Sequence, residues 1–261
     1  MVQTTKESVP NATLVHTYQL PGASNPRVCD FDDMTLRVVK WHPSAHGLTA
    51  TYSELVASRL GQLIEAPVVR GTVVYVEPEL LPRELTTQAA HPVTQPFHVG
   101  FTYSPGKGFR SADYAQIKNT MSLPAAAVQL AWLQVEDQEG EDHNQYLYQL
   151  EQVLPDKTTR KMNHFIVVDQ AAICGTHDWS TATPQPSAAY NLPSHLKSRV
   201  SMEAMEPVLD SVMSLDEEEI RSCFGSYPDG WDIKDHHVNK VTEFVLEIRE
   251  HLADVLRNNL V

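Results

Sequence analysis

Arg27-Val28-Cys29-Asp30-Phe31-Asp32-Asp33-Met34-Thr35-Leu36-Arg37-Val38-Val39-Lys40-Trp41 reads as a strand, a tight turn at Asp32-Asp33 and a second strand. β-branched and apolar residues flank two residues that favour turns, and the resulting hairpin ends at a lysine, Lys40. Upstream, Met1 to Pro26 carries proline, glycine, serine and asparagine, with Thr13-Leu14-Val15 as an apolar edge-strand segment before a turn at Gly22. Downstream of Pro43 to Gly47, the segment Thr51 to Ile64 places Leu55, Val56, Leu60 and Leu63 on one face. Glu54 and Arg59 fall among its polar positions, which predicts an amphipathic helix. Val68 to Val76 is β-branched and follows Pro67, so a further strand is expected. The first third of the chain therefore reads β, β, α, β.

Between Glu77 and Lys118 five prolines, Pro78, Pro82, Pro92, Pro96 and Pro105, predict a connecting segment with irregular loops around any short element. Pro124 suits a first helical turn, and Ala125 to Leu133 is apolar almost all round, as in a buried helix. Val135 to Asn144 is dense in carboxylates and leads to a short strand at Tyr146-Leu147-Tyr148. After a polar excursion through Lys157 to Lys161, a second strand, Phe165-Ile166-Val167-Val168, is closed by Asp169. Thr176 to Leu192 reads as loop. Ser201 to Met213, Asp216 to Phe224 and His236 to Asn258 have helical spacing, with Ser214 and Glu217 as an expected capping box. Three regions follow: a β-rich part over 1–85, a hinge and loops over 86–119, and a helical part over 120–261.

The chain has 261 residues, 42% of them hydrophobic, enough for a sizeable core. Its formal net charge of -13 repels a phosphate backbone and speaks against nucleic acid as a partner. Lys157, Arg160 and Lys161 form the one compact basic cluster. No stretch has the length or apolarity of a membrane span or the pattern of a signal peptide, so a cytoplasmic protein without a membrane partner is expected. Cys29, Cys174 and Cys223 are odd in number and widely spaced, and read as reduced thiols.

Four polar residues stand at or beside strand ends: Lys40, Asp137, Asn144 and Asp169. Phosphoryl transfer needs a cation on the nucleotide phosphates, a carboxylate for the acceptor hydroxyl and oxygen ligands for magnesium, and these residue types supply them. Each taken singly is also an ordinary solvated surface residue.

With gaps, the chain from about Gly22 onward resembles the compact HipA-like kinases. Gly22-Ala23-Ser24-Asn25-Pro26, Cys29-Asp30 and Leu36 to Trp41 look like that family's opening strands, with Lys40 at its phosphate-contacting lysine. Tyr52 to Leu60 and Ala66-Pro67-Val68 are similar to its next helix and strand, which makes Glu54 the ion-pair partner of Lys40. Val128 to Asp137 resembles the helix leading to its catalytic loop, with Asp137 the catalytic aspartate and Asn144 a magnesium ligand. Phe165 to Asp169 looks like the strand ending in the second metal ligand, Asp169. His177-Asp178-Trp179, Pro228 to Trp231 and Val245 to Arg249 continue the similarity. The resemblance implies an α+β, bilobal protein-kinase-like fold, with a small β-rich N-terminal lobe and a mainly helical C-terminal lobe. It further implies ATP and Mg2+ as cofactors and a protein serine or threonine as acceptor.

The chain departs from that pattern at several positions. Val135 stands where the family writes asparagine and Gln138 where it writes arginine. Asn144 lies seven residues past Asp137 instead of five, and Asp142 offers a shifted alternative. Asp30 to Thr35 contains no glycine, and Ser104 to Gly108 reads as a surface turn, not a Walker loop. A catalytically inactive pseudokinase that binds nucleotide or a regulatory protein partner is the alternative. His236 and His237 are adjacent and diverge on a helix, which speaks against a shared metal ion. His42 and His46 fall in a loop. Ser122, Ser180 and Ser194 lack the G-x-S-x-G elbow of a hydrolase. Trp41, Trp132, Trp179 and Trp231 are spread over separate elements, as packing residues are.

Overall fold

The computed structural model describes residues 4–20, 25–44, 46–87, 92–103, 106–108, 117–136, 138, 145–153, 157–179, 186–187 and 190–260. Strands β1 (Ala12–Gln19), β2 (Arg27–Phe31), β3 (Leu36–Lys40), β4 (Gly71–Tyr75) and β5 (Phe97–Thr102) form an antiparallel sheet in the order β1-β2-β3-β5-β4. The β2–β3 turn is closed by the Phe31 amide donating to the Thr35 carbonyl at 3.0 Å. Pairing of Arg27 with Val39 and of Lys40 with Val99 puts Lys40 on an interior strand. β5 is the short element in the proline-rich stretch, and it completes the sheet beyond residue 85. The sheet also curls on itself. The Tyr75 amide of the far edge donates to the Pro10 carbonyl at 2.9 Å, just ahead of β1.

Helix α1 (Ala50–Leu63) packs on β4 and β5. Its expected amphipathicity is corrected by the structure: Ala50 to Ser58, with Leu60 and Gly61, are all buried. The helix lies between the sheet and the C-terminal helices, so it has almost no solvent side, and its polar residues find partners inside. The Tyr52 hydroxyl donates to the Phe224 carbonyl at 2.5 Å, and the Arg59 guanidinium donates to the carbonyls of Cys223 and Gly225 at 3.0 and 2.5 Å.

After α2 (Arg83–Thr87), a second sheet is built from β6 (Gly106–Gly108), β7 (Gln145–Val153) and β8 (Thr159–Val167) in that order. Gly106 to Gly108 is thus a paired strand and not a surface turn. The β7–β8 ladder is longer than expected, running from Gln145–Val167 to Val153–Thr159 and so pairing Thr159 to Lys161 of the expected polar excursion.

Helix α3 (Leu123–Leu133) is buried at Leu123 and throughout Ala125 to Leu133, has Pro124 in its first turn, and ends at Gln134 with φ +44°. Around it pack α4 (Ser194–Lys197), α5 (Met202–Ser214) and α7 (Asp235–Asn259), while α6 (Glu217–Cys223) lies against α1 and α7. The capping box is formed by Asp216, whose side chain accepts from the Glu219 amide at 2.7 Å, and Glu219, whose side chain accepts from the Asp216 amide at 2.9 Å. Ser214 is instead the last residue of α5, so the expected box at Ser214 and Glu217 is corrected by two residues.

One large apolar core joins α1, α3, α5, α6 and α7. A smaller one, with Cys29, Phe31, Val39, Trp41, Val74 and Leu85, lies on the other face of the first sheet. All four tryptophans are buried, and the three cysteines are free and buried. No helix among the described residues is long and apolar enough to cross a membrane.

Where the first sheet meets the C-terminal half, His42, His98 and Trp231 interlock. The His42 amide donates to His98 Nδ1 at 3.1 Å, His42 Nε2 lies 3.1 Å from the Trp231 carbonyl, and the two rings stack at 4.6 Å. Burial lowers His42 to about 4 and His98, with help from His42, to about 3. Between these values and the free histidine value near 6.5, the unfolded chain binds protons that the native state refuses, so stability is lost as pH falls through that window. Equilibrium unfolding between pH 7 and 4 should lose up to about 2.7 kcal/mol per pH unit from two such groups. His98→Gln should roughly halve the slope; an unchanged slope would contradict this account.

Candidate functional site

Lys40 closes β3, and its side chain is only 11% exposed. Its Nζ donates to Asp169 Oδ1 at 2.7 Å and lies 3.1 Å from Glu54 Oε1. A strand, a helix and a strand end thus bring together three residues that are 14 and 115 positions apart in the chain. Glu54 comes from the first half of α1, with its side chain 6% exposed. Asp169 follows β8 with φ +55°, a left-handed conformation that aspartate tolerates better than most residues, and its side chain is 36% exposed. The lysine is therefore enclosed, while one of its carboxylate partners reaches solvent.

The charges are mutually dependent. Burial acts to lower the Lys40 ammonium, but the charges of Glu54 and Asp169 and their hydrogen bonds outweigh it and hold it above the usual lysine value. Burial pushes the Glu54 carboxyl up to about 7 against the pull of Lys40, and the Asp169 charge adds to the rise. Burial also acts to raise Asp169, but Lys40, with His46 and His177, holds it below the ordinary carboxylate range. An ionised, partly exposed carboxylate can take a hard divalent ion, and the ammonium beside it can take anionic oxygens.

Asp137 and Asn144, and the alternative Asp142, lie outside the described residues. The chain leading to them is described. The Glu136 amide donates to the Ala172 carbonyl at 3.1 Å and the Gly175 amide to the Gln134 carbonyl at 3.2 Å, which ties this segment to the one after Asp169. Val135 and Gln138, two of the departures from the family pattern, are both buried, and Gln138 Nε2 donates to the Asp169 carbonyl at 3.4 Å.

Among the neighbours of Lys40, Glu54 and Asp169, His46, His177, Asp178 and Trp179 were named from sequence without a role at this site, and Thr49 was not singled out. His46 and His177 stack at 4.9 Å. The Thr49 hydroxyl, just before α1, accepts from the Trp179 amide at 2.8 Å and donates to Asp178 Oδ1 at 3.2 Å. Thr49 carries the signal of a helix cap, but its hydroxyl is taken by the segment after Asp169 and makes no capping bond. Among the described residues no group of three or more His, Cys, Asp or Glu side chains is arranged to hold a metal ion, and the rings of His236 and His237 lie tilted against each other at 4.0 Å.

Solved structures share this arrangement of elements. The Helicobacter pylori proinflammatory kinase CtkA superposes with a TM-score of 0.58 at 10% identity, covering 96% of this chain and 98% of that one. The chain has a protein-kinase-like fold. The Golgi casein kinase matches at a TM-score of 0.54, and its form with Mn/ADP bound at 0.53, each at 10% identity over 97% of this chain and about three quarters of the other. No family model matches the sequence, and no curated protein matches it. At such low identity it is the architecture that is shared: a small antiparallel sheet region followed by a helical region.

Proposed function

We propose that this chain is an ATP-dependent kinase of the HipA-like type, transferring the γ-phosphoryl group to a serine or threonine hydroxyl of a protein. The observation that carries the reading is the buried Lys40 ammonium held between Glu54 and Asp169. A lysine enclosed in this way is both charged and fixed in place, as a phosphate contact requires, whereas a solvated surface lysine is charged but not fixed.

In this reading Lys40 holds phosphate oxygens, and Glu54 keeps Lys40 in place. Asp169 fits Mg2+ as an ionised oxygen donor, with Asn144 as its companion. Bound Mg2+ neutralises charge on the phosphate oxygens. Asp137 orients the acceptor hydroxyl and takes its proton as the acceptor O–P bond forms and the bond to ADP breaks. The protein substrate is to be sought among cytoplasmic proteins.

A second reading, a pseudokinase that binds nucleotide or a partner protein without transfer, is favoured by the burial of Val135 and Gln138. These positions frame the loop of Asp137, and neither offers the polar group that the family places there. The test is incubation with γ-labelled ATP and Mg2+, alone and with cell extract, beside Asp137→Ala and Asp169→Ala. Transfer that is lost in both variants is the expected result. ATP-dependent stabilisation without transfer would move the assignment to the pseudokinase, and neither effect would remove both.

A further inference from the structure

Gln129 is the one polar residue in a run of buried helix, flanked by Ala125 to Val128 on one side and Leu130 to Leu133 on the other. Its side chain is fully buried, and burying an amide is costly unless it is bonded. Its Nε2 makes two hydrogen bonds, to the Ala57 carbonyl at 2.9 Å and to Gln170 Oε1 at 3.0 Å. Ala57 lies three residues beyond Glu54 on α1, and Gln170 follows Asp169 directly. One amide therefore grips both segments that carry the carboxylates around Lys40.

A second observation bears on the same amide. A methyl group at Gly61, one turn beyond Ala57 on α1, would come within 2.7 Å of Gln129 Nε2. Glycine is a poor choice inside a helix, and here it leaves the room that the amide occupies. Gln138 Nε2 also holds the Asp169 carbonyl at 3.4 Å, so the left-handed turn at Asp169 is fastened at its own carbonyl and at the side chain of the next residue.

We infer that Gln129 is a positioning residue: by bonding the α1 backbone and Gln170 at once, it sets the distance between Glu54 and Asp169 and so keeps Lys40 enclosed. Its two hydrogen bonds go to neither Lys40 nor either carboxylate. Its consequence for phosphoryl transfer rests on the kinase reading, whereas the geometry it controls can be measured without nucleotide.

The measurement is the acylation rate of each lysine in the free protein, followed by mass spectrometry after brief exposure to an amine-acylating reagent. In the wild type Lys40 should react far more slowly than the exposed Lys240. Gln129→Met, which keeps the volume and removes the amide, should speed Lys40 by about tenfold or more with Lys240 unchanged, since two buried hydrogen bonds are lost and each is worth about two- to tenfold in an equilibrium. Gly61→Ala should act in the same direction although alanine favours the helix, and it carries the test if Gln129→Met does not fold. Folded variants with Lys40 still at the wild-type rate would overturn the inference. Mg·ATP stabilisation of the wild type is measured in parallel. If it is absent while Lys40 is exposed in the variants, the kinase reading falls and the role of Gln129 stands.

Discussion

Lys40→Met is expected to destabilise the protein by about 3–5 kcal/mol at pH 8 and by distinctly less at pH 6. Methionine fills much of the same volume, so the effect is one of charge. Without the ammonium, Glu54 and Asp169 face each other across the space Lys40 occupied, and Glu54 is buried. Glu54 already holds its proton up to about 7 in the native protein, against about 4.5 when unfolded. The native state therefore binds more protons across that window, and the contribution of Glu54 to stability is full below 4.5 and lost as pH rises through 7. Removing Lys40 raises the native value further, so the loss continues above pH 7 and the gap between variant and wild type widens with pH. Urea unfolding at the two pH values measures it. A cost equal at both, or below about 1 kcal/mol at pH 8, would mean that the three groups are not coupled as described.

Trp231→Ala should cost a similar amount, about 3–5 kcal/mol, for a different reason. The indole is fully buried, donates from Nε1 to the Phe97 carbonyl at 2.9 Å, stacks on His42 and meets the edge of Tyr52 at 6.5 Å. Truncation leaves a cavity between β5, α1 and the loop after β3 that none of these elements can collapse into, because each is fixed by further bonds. The melting temperature should fall by roughly 10 °C. Trp231→Phe retains the stack and loses the hydrogen bond, and should cost about 1–2 kcal/mol. If alanine and phenylalanine melt alike, the cavity is not what the indole contributes.

The β2–β3 hairpin, α3 and the C-terminal helices were legible in sequence because each has one strong local signal: β-branched residues around Asp32-Asp33, an unbroken apolar run after Pro124, and helical spacing. Lys40 and Asp169 could be picked out because both end apolar strands. The burial of Glu54 was not legible, since an acidic residue in a helix reads as solvent-facing until the cation that accompanies it inside is known. β5 was hidden by Pro96 before it and Gly100 within it; a side chain at Gly100 would come within 2.7 Å of Val74, a constraint visible only in the paired sheet. The capping register was ambiguous because Ser214 with Glu217 and Asp216 with Glu219 both satisfy the motif, and the length of α5 decides between them. Gln129 gave no signal, since a single glutamine in an apolar helix has no partner that spacing can reveal.

Helix α1 belongs to both halves of the molecule, with the first sheet on one side and α3 and α6 on the other. A cut anywhere between them strips one side of a helix that has almost no polar face to offer water. Neither half is a module that recombination or an engineer could lift out whole, and domain shuffling in such a lineage has to move the entire chain or leave it intact. Duplication and terminal extension stay open to it; exchange of one lobe does not.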